Sequence, residues 1–388
     1  MRIVHAITSV DLRLGGTARA VIDLAEAMAA RGHEVTVITA NAIDVPDAWR
    51  AGAPARPRSI VDHGPYPLLS LAGASDETRA AFRNADVVHF HAMWEIFNVR
   101  LAAECRASGV PYITTPHGML DDWCMAQGAW KKKLHLKLRG TAMLESAAYV
   151  HCTAAAELAQ SAKWFPSGRG RVVANLMDLR SYENLPGVAE AEARFPQLRE
   201  HAVRLLFLSR VSQKKGVEHL VDAVAALVRD GVDAIAMIAG TADEPYAAML
   251  RERVARLGLA ERVHFLGHVG GTLKISLIEG CDMLVVPSSQ ENFGFVFFES
   301  LAAGTAVVTT DLVDTRDELR DSGGAVIVQQ NGAAVAAGVH EILERTKAHS
   351  IDMGAARRWV FRECDPNSVA SQFEAMYADA SAMRVPCR

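Results

Sequence analysis

The sequence predicts an α/β protein built from two parallel sheets, each covered by helices, and three observations carry that reading. Short β-branched runs alternate with helix-length amphipathic stretches, this alternation occurs twice, and a charged stretch bearing Pro and Gly separates the two series. The 388 residues amount to two to three domain lengths of about 150 residues each. Half of the residues are apolar and 22% are charged, enough apolar material for one or two buried cores.

The first series opens with a strand over Arg2–Thr8, a loop through Gly15-Gly16 and a helix from about Thr17 to Ala30. Val21, Leu24, Ala25 and Met28 fall on one apolar stripe of that helix. Strands follow at Glu34–Thr39, Asp86–Phe90, Tyr112–Thr115, Tyr149–Cys152 and Arg171–Val173. Residues 184–200 carry Pro186, Gly187 and Pro196 among many charges and read as a linker or short helical bridge. The second series places strands at Val203–Ser209, Ala234–Ala239, Val263–Leu266, Met283–Val286 and Ala306–Thr309, with a helix from Val217 to about Arg229. After Gly332 the chain reads as helical to its end, broken at Asp365-Pro366. The expected architecture is two Rossmann-like domains facing across a cleft: residues 1–183, with 366–388 packing back on them, and residues 201–365. Ligands of such sheets bind in the loops at the carboxyl ends of the strands.

Composition narrows the function. With 41 Lys+Arg against 45 Asp+Glu the formal charge is −4, which excludes a globally basic nucleic-acid coat. No apolar run approaches the ~18–20 residues of a bilayer span, and the opening Met1–Ile7 reads as a buried strand rather than a secretory signal. Cys105, Cys124, Cys152, Cys281, Cys364 and Cys387 form no C-x-x-C pair and no zinc-finger spacing, so reduced thiols and a cytoplasmic protein without a metal are expected.

The strongest chemical signal is PSSQENFGFVFFESLAAGTAVVTTD, from Pro287 to Asp311. Glu291 lies in the loop after an apolar strand, and Glu299 follows eight residues later inside a helix beginning near Asn292–Phe295. Free amides at that helix start suit phosphate, and Gly294 lets backbone approach a ligand. Two carboxylates two turns apart can hold hydroxyls on two rings; the alternative is that Glu291 caps the helix and Glu299 is a surface charge. The second signal is Ser209-Arg210-Val211-Ser212-Gln213-Lys214-Lys215-Gly216, directly after a strand. Arg210 and Lys215 can grip a diphosphate there, one as a fork and one as a point charge, or be solvated surface.

Arg210, Lys215 and the Glu-x7-Glu of Glu291 and Glu299 within ENFGFVFFESLAAG resemble the GT-B glycosyltransferases of family 4, the group 1 transferases. The similarity runs over nearly the whole chain. It takes in Gly15-Gly16, His117 in Thr115-Pro116-His117-Gly118, and Phe265-Leu266-Gly267. The resemblance implies retaining transfer of a sugar from a nucleoside-diphosphate donor, without a metal or other cofactor. It gives Arg210 and Lys215 the donor diphosphate and Glu299 the ribose hydroxyls. Glu291 and the backbone at Phe293, Gly294 and Phe295 take the donor sugar, while Gly15 and Gly16 approach the diphosphate from the first domain and His117 sits beside the sugar. The sequence departs from the family at Ala174-Asn175-Leu176-Met177-Asp178, where Leu176 stands in place of a frequent glycine, and Asn175 is assigned no ligand role. His91 is expected toward the acceptor side and His89 in packing.

Trp130-Lys131-Lys132-Lys133-Leu134-His135-Leu136-Lys137-Leu138-Arg139 sets five cations around three leucines and a tryptophan. On a helix, Trp130, Leu134 and Leu138 share a face beside Lys133 and Lys137. Such a helix can lie on an anionic membrane or take a lipid phosphate, or else pack its stripe on its own domain. The acceptor is therefore expected to be a saccharide, including a lipid-linked one, met at the inner face of a membrane, with no nucleic-acid partner. GDP-mannose and UDP-hexoses both fit as donors. The sequence argues against a nicotinamide dehydrogenase: the first loop lacks G-x-G-x-x-G and the second strand ends in Thr39-Ala40-Asn41 without an acidic residue for the ribose. A GT-B epimerase or phosphorylase and a non-catalytic sugar-nucleotide binder remain as alternatives.

Overall fold

A computed structural model of the chain describes residues 1–50, 55–62, 75–94 and 96–384. Cys387 lies outside them. The chain divides into two units, Met1–Met177 with the segment from Cys364 on, and Asp178–Glu363.

The first unit holds a parallel sheet of β1 (Arg2–Ala6), β2 (Glu34–Thr39), β3 (Arg58–Val61), β4 (Val87–His91), β5 (Tyr112–Thr115), β6 (Tyr149–Cys152) and β7 (Gly170–Val172) in the order β3-β2-β1-β4-β5-β6-β7. Helix α1 (Gly16–Ala30) packs its Val21–Met28 stripe on one face. The chain reverses its direction of winding between β1 and β4, which opens a crevice at their carboxyl ends. Parity along the strands sorts the side chains. Val4, Ala6, Val88 and Phe90 enter one apolar cluster, while Ile3, Val35, Val37 and Val87 enter another that includes Phe373, Met376 and Tyr377 of the C-terminal helix Pro366–Ala382. His5 lies opposite Val37 on β2 and His89 on β4, so two imidazoles meet across adjacent strands.

The second unit holds β8 (Val203–Leu208), β9 (Ala234–Ala239), β10 (Val263–Gly267), β11 (Met283–Val286), β12 (Ala306–Thr310) and β13 (Ala325–Val328), ordered β10-β9-β8-β11-β12-β13, the doubly wound order with its switch between β8 and β11. Helices α2 (Val217–Arg229) and α3 (Gly332–Lys347) pack against each other on this sheet. Residues 184–200, read as a linker, carry two short turns of helix that dock on this unit. The Ala191 amide donates to Ser276 Oγ at 3.0 Å, and Ala191 and Leu198 are buried.

Two strands escape the sequence reading, β3 and β13. Both are four residues long and form outer edges, so they carry little periodicity of their own. Leu176, standing where the family often has glycine, is buried in the first unit's core. That burial explains why an apolar residue is tolerated there.

Candidate functional site

In the second unit the loops after β8 and β11 lie side by side because their strands pair, Leu205 with Met283 and Leu206 with Leu284. The Ser289 amide donates to the Lys214 carbonyl at 2.8 Å, and the Gln330 side-chain amide donates to Pro287 O at 3.0 Å and Ser289 Oγ at 2.8 Å. These bonds fix both loops to one frame. Gly216 turns the first loop into α2 with φ +64°, where a Cβ would sit 2.2 Å from the Pro287 carbonyl oxygen. Gly294 starts the helix α4 (Phe295–Ala302) at φ +72°, and a Cβ there would stand 2.4 Å from the Phe297 ring. Neither position accepts a side chain without rearrangement.

Lys215 and Glu291 form an ion pair across the two loops, with their side chains only 7% and 20% exposed. Burial alone would push the Glu291 carboxyl up, but the charges of Lys215 and Lys214, the Lys215 hydrogen bond and Arg210 outweigh it and hold the carboxyl below its usual range. Glu291 is not the N-cap of α4; Gly294 holds that place. The Glu291 carbonyl instead accepts from the Asp314 amide at 2.9 Å. Glu299 is no surface charge either. It is 3% exposed, and its Oε1 accepts from Lys274 Nζ at 2.8 Å. Phe293 stacks on Phe298 at 4.7 Å and meets Phe295 edge-on at 5.1 Å, which locks the turn between the two carboxylates. Arg210 is exposed at the mouth of the β8 loop. Sequence reasoning missed Lys274, which sits in the helix Gly271–Glu279 after β10 and carries no motif around it.

Because the folded-state pKa of Glu291 is depressed, the Lys215 pair contributes fully above the unfolded carboxylate value and is lost as pH falls through the lower folded one. Glu291→Gln is expected to remove that part of the acid-induced loss of stability below about pH 4.5. Thermal melts from pH 3 to 6 check this; parallel curves for variant and parent would refute it.

The first unit presents Gly15, at φ +127°, and Gly16 at the start of α1 after β1. His117 follows β5 with φ +52°, a left-handed conformation uncommon for a side-chain-bearing residue. The turn is held from below. Glu157, fully buried, accepts from the Gly118 amide at 2.7 Å, the Thr153 amide at 2.6 Å and Thr153 Oγ1 at 3.0 Å. Behind His117 stands a line of imidazoles: His117 Nε2 lies 3.1 Å from His91 Nδ1, and His91 Nε2 lies 3.0 Å from His5 Nδ1. His91 is buried at 2% exposure, so it backs His117 rather than reaching an acceptor, contrary to the sequence expectation.

His89 belongs to a second line, from Tyr377 OH at 2.9 Å through His89, Thr115 Oγ1 at 2.6 Å and His151 Nδ1 at 2.7 Å to the Val173 carbonyl at 2.8 Å. A carbonyl can only accept, so His151 donates from Nε2, Thr115 donates to His151, His89 donates from Nε2 to Thr115, and Tyr377 donates to His89. Tyr377→Phe then leaves a buried lone pair on His89 and is expected to cost about 1–2 kcal/mol, read as a lowered Tm. An unchanged Tm would contradict this polarity. His5, His89 and His91 bring ligand atoms within 4.8 Å of one another, but both nitrogens of His89 and His91 are already hydrogen-bonded.

The basic stretch forms a helix over Ala129–His135 that continues through a π-turn at Leu136–Gly140. Trp130 is 68% exposed, Leu134 48% and Leu138 69%, so this apolar stripe does not pack on its own unit, while Leu136 is buried. Lys132 differs from its neighbours, because its Nζ donates to the Cys124 carbonyl at 2.6 Å and lies over the Trp94 ring. No described helix is long and apolar enough to cross a membrane.

Residues 14–181 match the family described as Glycosyltransferase Family 4, and residues 189–358 match glycosyl transferases group 1. The chain belongs to the group 1 glycosyltransferases of family 4. Among relatives of this transferase, a Mycobacterium tuberculosis phosphatidyl-myo-inositol mannosyltransferase is 29% identical over 94% of this chain and 93% of that protein. An uncharacterized glycosyltransferase of Methanocaldococcus jannaschii is 28% identical over 46% of this chain and only 45% of its own length. The crystal structure of Anabaena HepE in complex with UDP superposes with a TM-score of 0.79 over 97% of this chain and all of that one, at 18% identity, a likeness of fold. The fold is GT-B, two Rossmann-like domains.

Proposed function

We propose that this glycosyltransferase moves a hexose from a nucleoside-diphosphate sugar to a saccharide acceptor with retention at the anomeric carbon and without a divalent metal. The observation that carries the reading is the Lys215–Glu291 pair, held under Arg210 and Lys214 at the switch point of the second sheet. Breaking the anomeric C–O bond builds negative charge on the leaving phosphate, and cations already in place stabilise it at no reorganisation cost. An arriving diphosphate supplies Lys215 with a new anionic partner and leaves Glu291 to accept hydroxyls of the donor sugar. Glu299, fixed by Lys274, takes the ribose hydroxyls, and the backbone of Phe293–Phe295 completes the sugar subsite. The family resemblance gives Gly15 and Gly16 the diphosphate and His117 the sugar.

The acceptor oxygen attacks the anomeric carbon on the face the phosphate leaves, the C–O bond to phosphate breaks, and the leaving phosphate oxygen takes the acceptor's proton. NMR of the product anomer tests this; an inverted product rules it out. The donor stays within two classes, GDP-mannose and UDP-hexoses, and the similarity to a phosphatidyl-myo-inositol mannosyltransferase supports a mannosyl donor. Thermal stabilisation across a panel of sugar nucleotides picks between them.

The acceptor side is read from the exposed Trp130–Leu138 stripe flanked by Lys131, Lys133, Lys137 and Arg139. A lipid-linked saccharide at an anionic membrane surface fits an apolar stripe beside phosphate-binding cations.

A further inference from the structure

We infer that His5 and His91 are positioning residues that fix the single proton of His117 on Nδ1, so that this ring acts as a hydrogen-bond donor from Nδ1 and not as a base. The inference begins at the far end of the line. His5 is fully buried, its Nδ1 faces His91, and its Nε2 is sealed from solvent with no hydrogen-bond partner. All three rings are neutral at ordinary pH: burial brings His5 and His117 down to about 3 and, with the neighbouring imidazoles, His91 well below its usual value. Each ring therefore carries one N–H and one bare nitrogen.

Two arrangements satisfy the contacts between the rings, with every proton on Nδ1 or every proton on Nε2. They differ only at the ends. With the protons on Nε2, His5 buries an N–H that nothing accepts; with the protons on Nδ1, it buries only a lone pair. A sealed donor without an acceptor is the rarer and costlier defect. The other end has no opposing preference, because His117 is half-buried and its Nδ1 is not a sealed, partnerless atom. The dead end at His5 decides, and the order passes outward: His5 Nδ1–H donates to His91 Nε2, and His91 Nδ1–H donates to His117 Nε2. The second line runs the opposite way, since the Val173 carbonyl forces His151 and His89 to carry their protons on Nε2.

The use of that donor rests on the role of His117 at the donor sugar proposed above; the tautomer itself does not. A neutral Nδ1–H can polarise a sugar oxygen but cannot remove the acceptor's proton, which is consistent with the leaving phosphate taking it.

Long-range proton–nitrogen correlation on the full chain labelled with nitrogen-15 histidine, without ligand and at neutral pH, reads each tautomer directly. His5, His91 and His117 are expected to be protonated on Nδ1, against the Nε2–H preference of free histidine, and His89 and His151 on Nε2. A proton on Nε2 of His91 or His117 overturns the inference whatever the activity. Two variants extend it, with the His89 and His151 signals as the check on folding. In His91→Asn the amide can still donate to His117 Nε2, so His117 should stay Nδ1–H with kcat within about threefold of the parent, whereas His91→Phe should shift the His117 proton toward Nε2 and lower kcat about tenfold. Equal kcat for the two variants overturns the positioning role. Full activity of His117→Ala, with the tautomers as expected, sinks the catalytic reading of His117 and leaves the assignment of the line intact.

Discussion

Replacing Lys215 with alanine is expected to lower kcat/KM for the sugar nucleotide by about 10²–10³-fold, the loss seen when one preorganised partner of a developing negative charge is removed. The same change strands the Glu291 carboxylate in a largely buried position, so stability should fall as well, by on the order of 2 kcal/mol after allowing for the remaining charges of Lys214 and Arg210. The two losses can be separated. Lys215→Ala combined with Glu291→Gln removes the uncompensated charge, and is expected to recover Tm while leaving the enzyme inactive. If the double variant regains activity, Lys215 serves only to neutralise Glu291 and the diphosphate assignment is wrong. Arg210→Ala gives the complementary case: its side chain is exposed, so donor affinity should drop with Tm changed by less than about 0.5 kcal/mol equivalent.

The second large effect concerns the surface at Trp130–Arg139. Lys131, Lys133 and Lys137 changed together to glutamate are expected to weaken binding to vesicles containing anionic lipid by at least about 10²-fold at low salt, at about 1 kcal/mol for each cation near the surface. Hydrolysis of the donor without acceptor should be unaffected. Lys132 is left out deliberately, because it ties the helix to Cys124 and covers Trp94, and changing it would confound surface charge with local unfolding. Trp130→Ser tests the apolar part independently. Vesicle binding unchanged in both variants would remove the membrane reading and leave the exposed stripe to a different acceptor.

Much of the candidate site in the second unit was legible in the sequence, and the reason is local. Arg210, Lys215, Glu291 and Glu299 lie in two short segments directly after strands, and a parallel sheet brings consecutive carboxyl ends to one edge. Residue type and spacing therefore almost specify the arrangement. Lys274 was not legible, since it reaches Glu299 from a separate helix through a contact between residues 25 apart. The same holds for Glu157, a lone carboxylate whose purpose, holding the His117-Gly118 turn, exists only once β6 lies beside β5. The short edge strands β3 and β13 were missed because a four-residue strand gains its identity from its neighbour rather than from its own pattern.

The histidines mark the division most clearly. The alternation of Val88-His89-Phe90-His91 settles by itself that His89 and His91 share a face of their strand, because side chains alternate with a period of two. Which partners they meet was decided by the tertiary structure: β1 brings His5 beside β4, β5 brings Thr115 and the His117 turn, and the C-terminal segment returns with Tyr377. Strand period is a property of the covalent chain and can be read along it. The direction of a hydrogen-bonded line depends on what closes its ends, here a carbonyl for one and a sealed lone pair for the other, and those ends are joined only by folding.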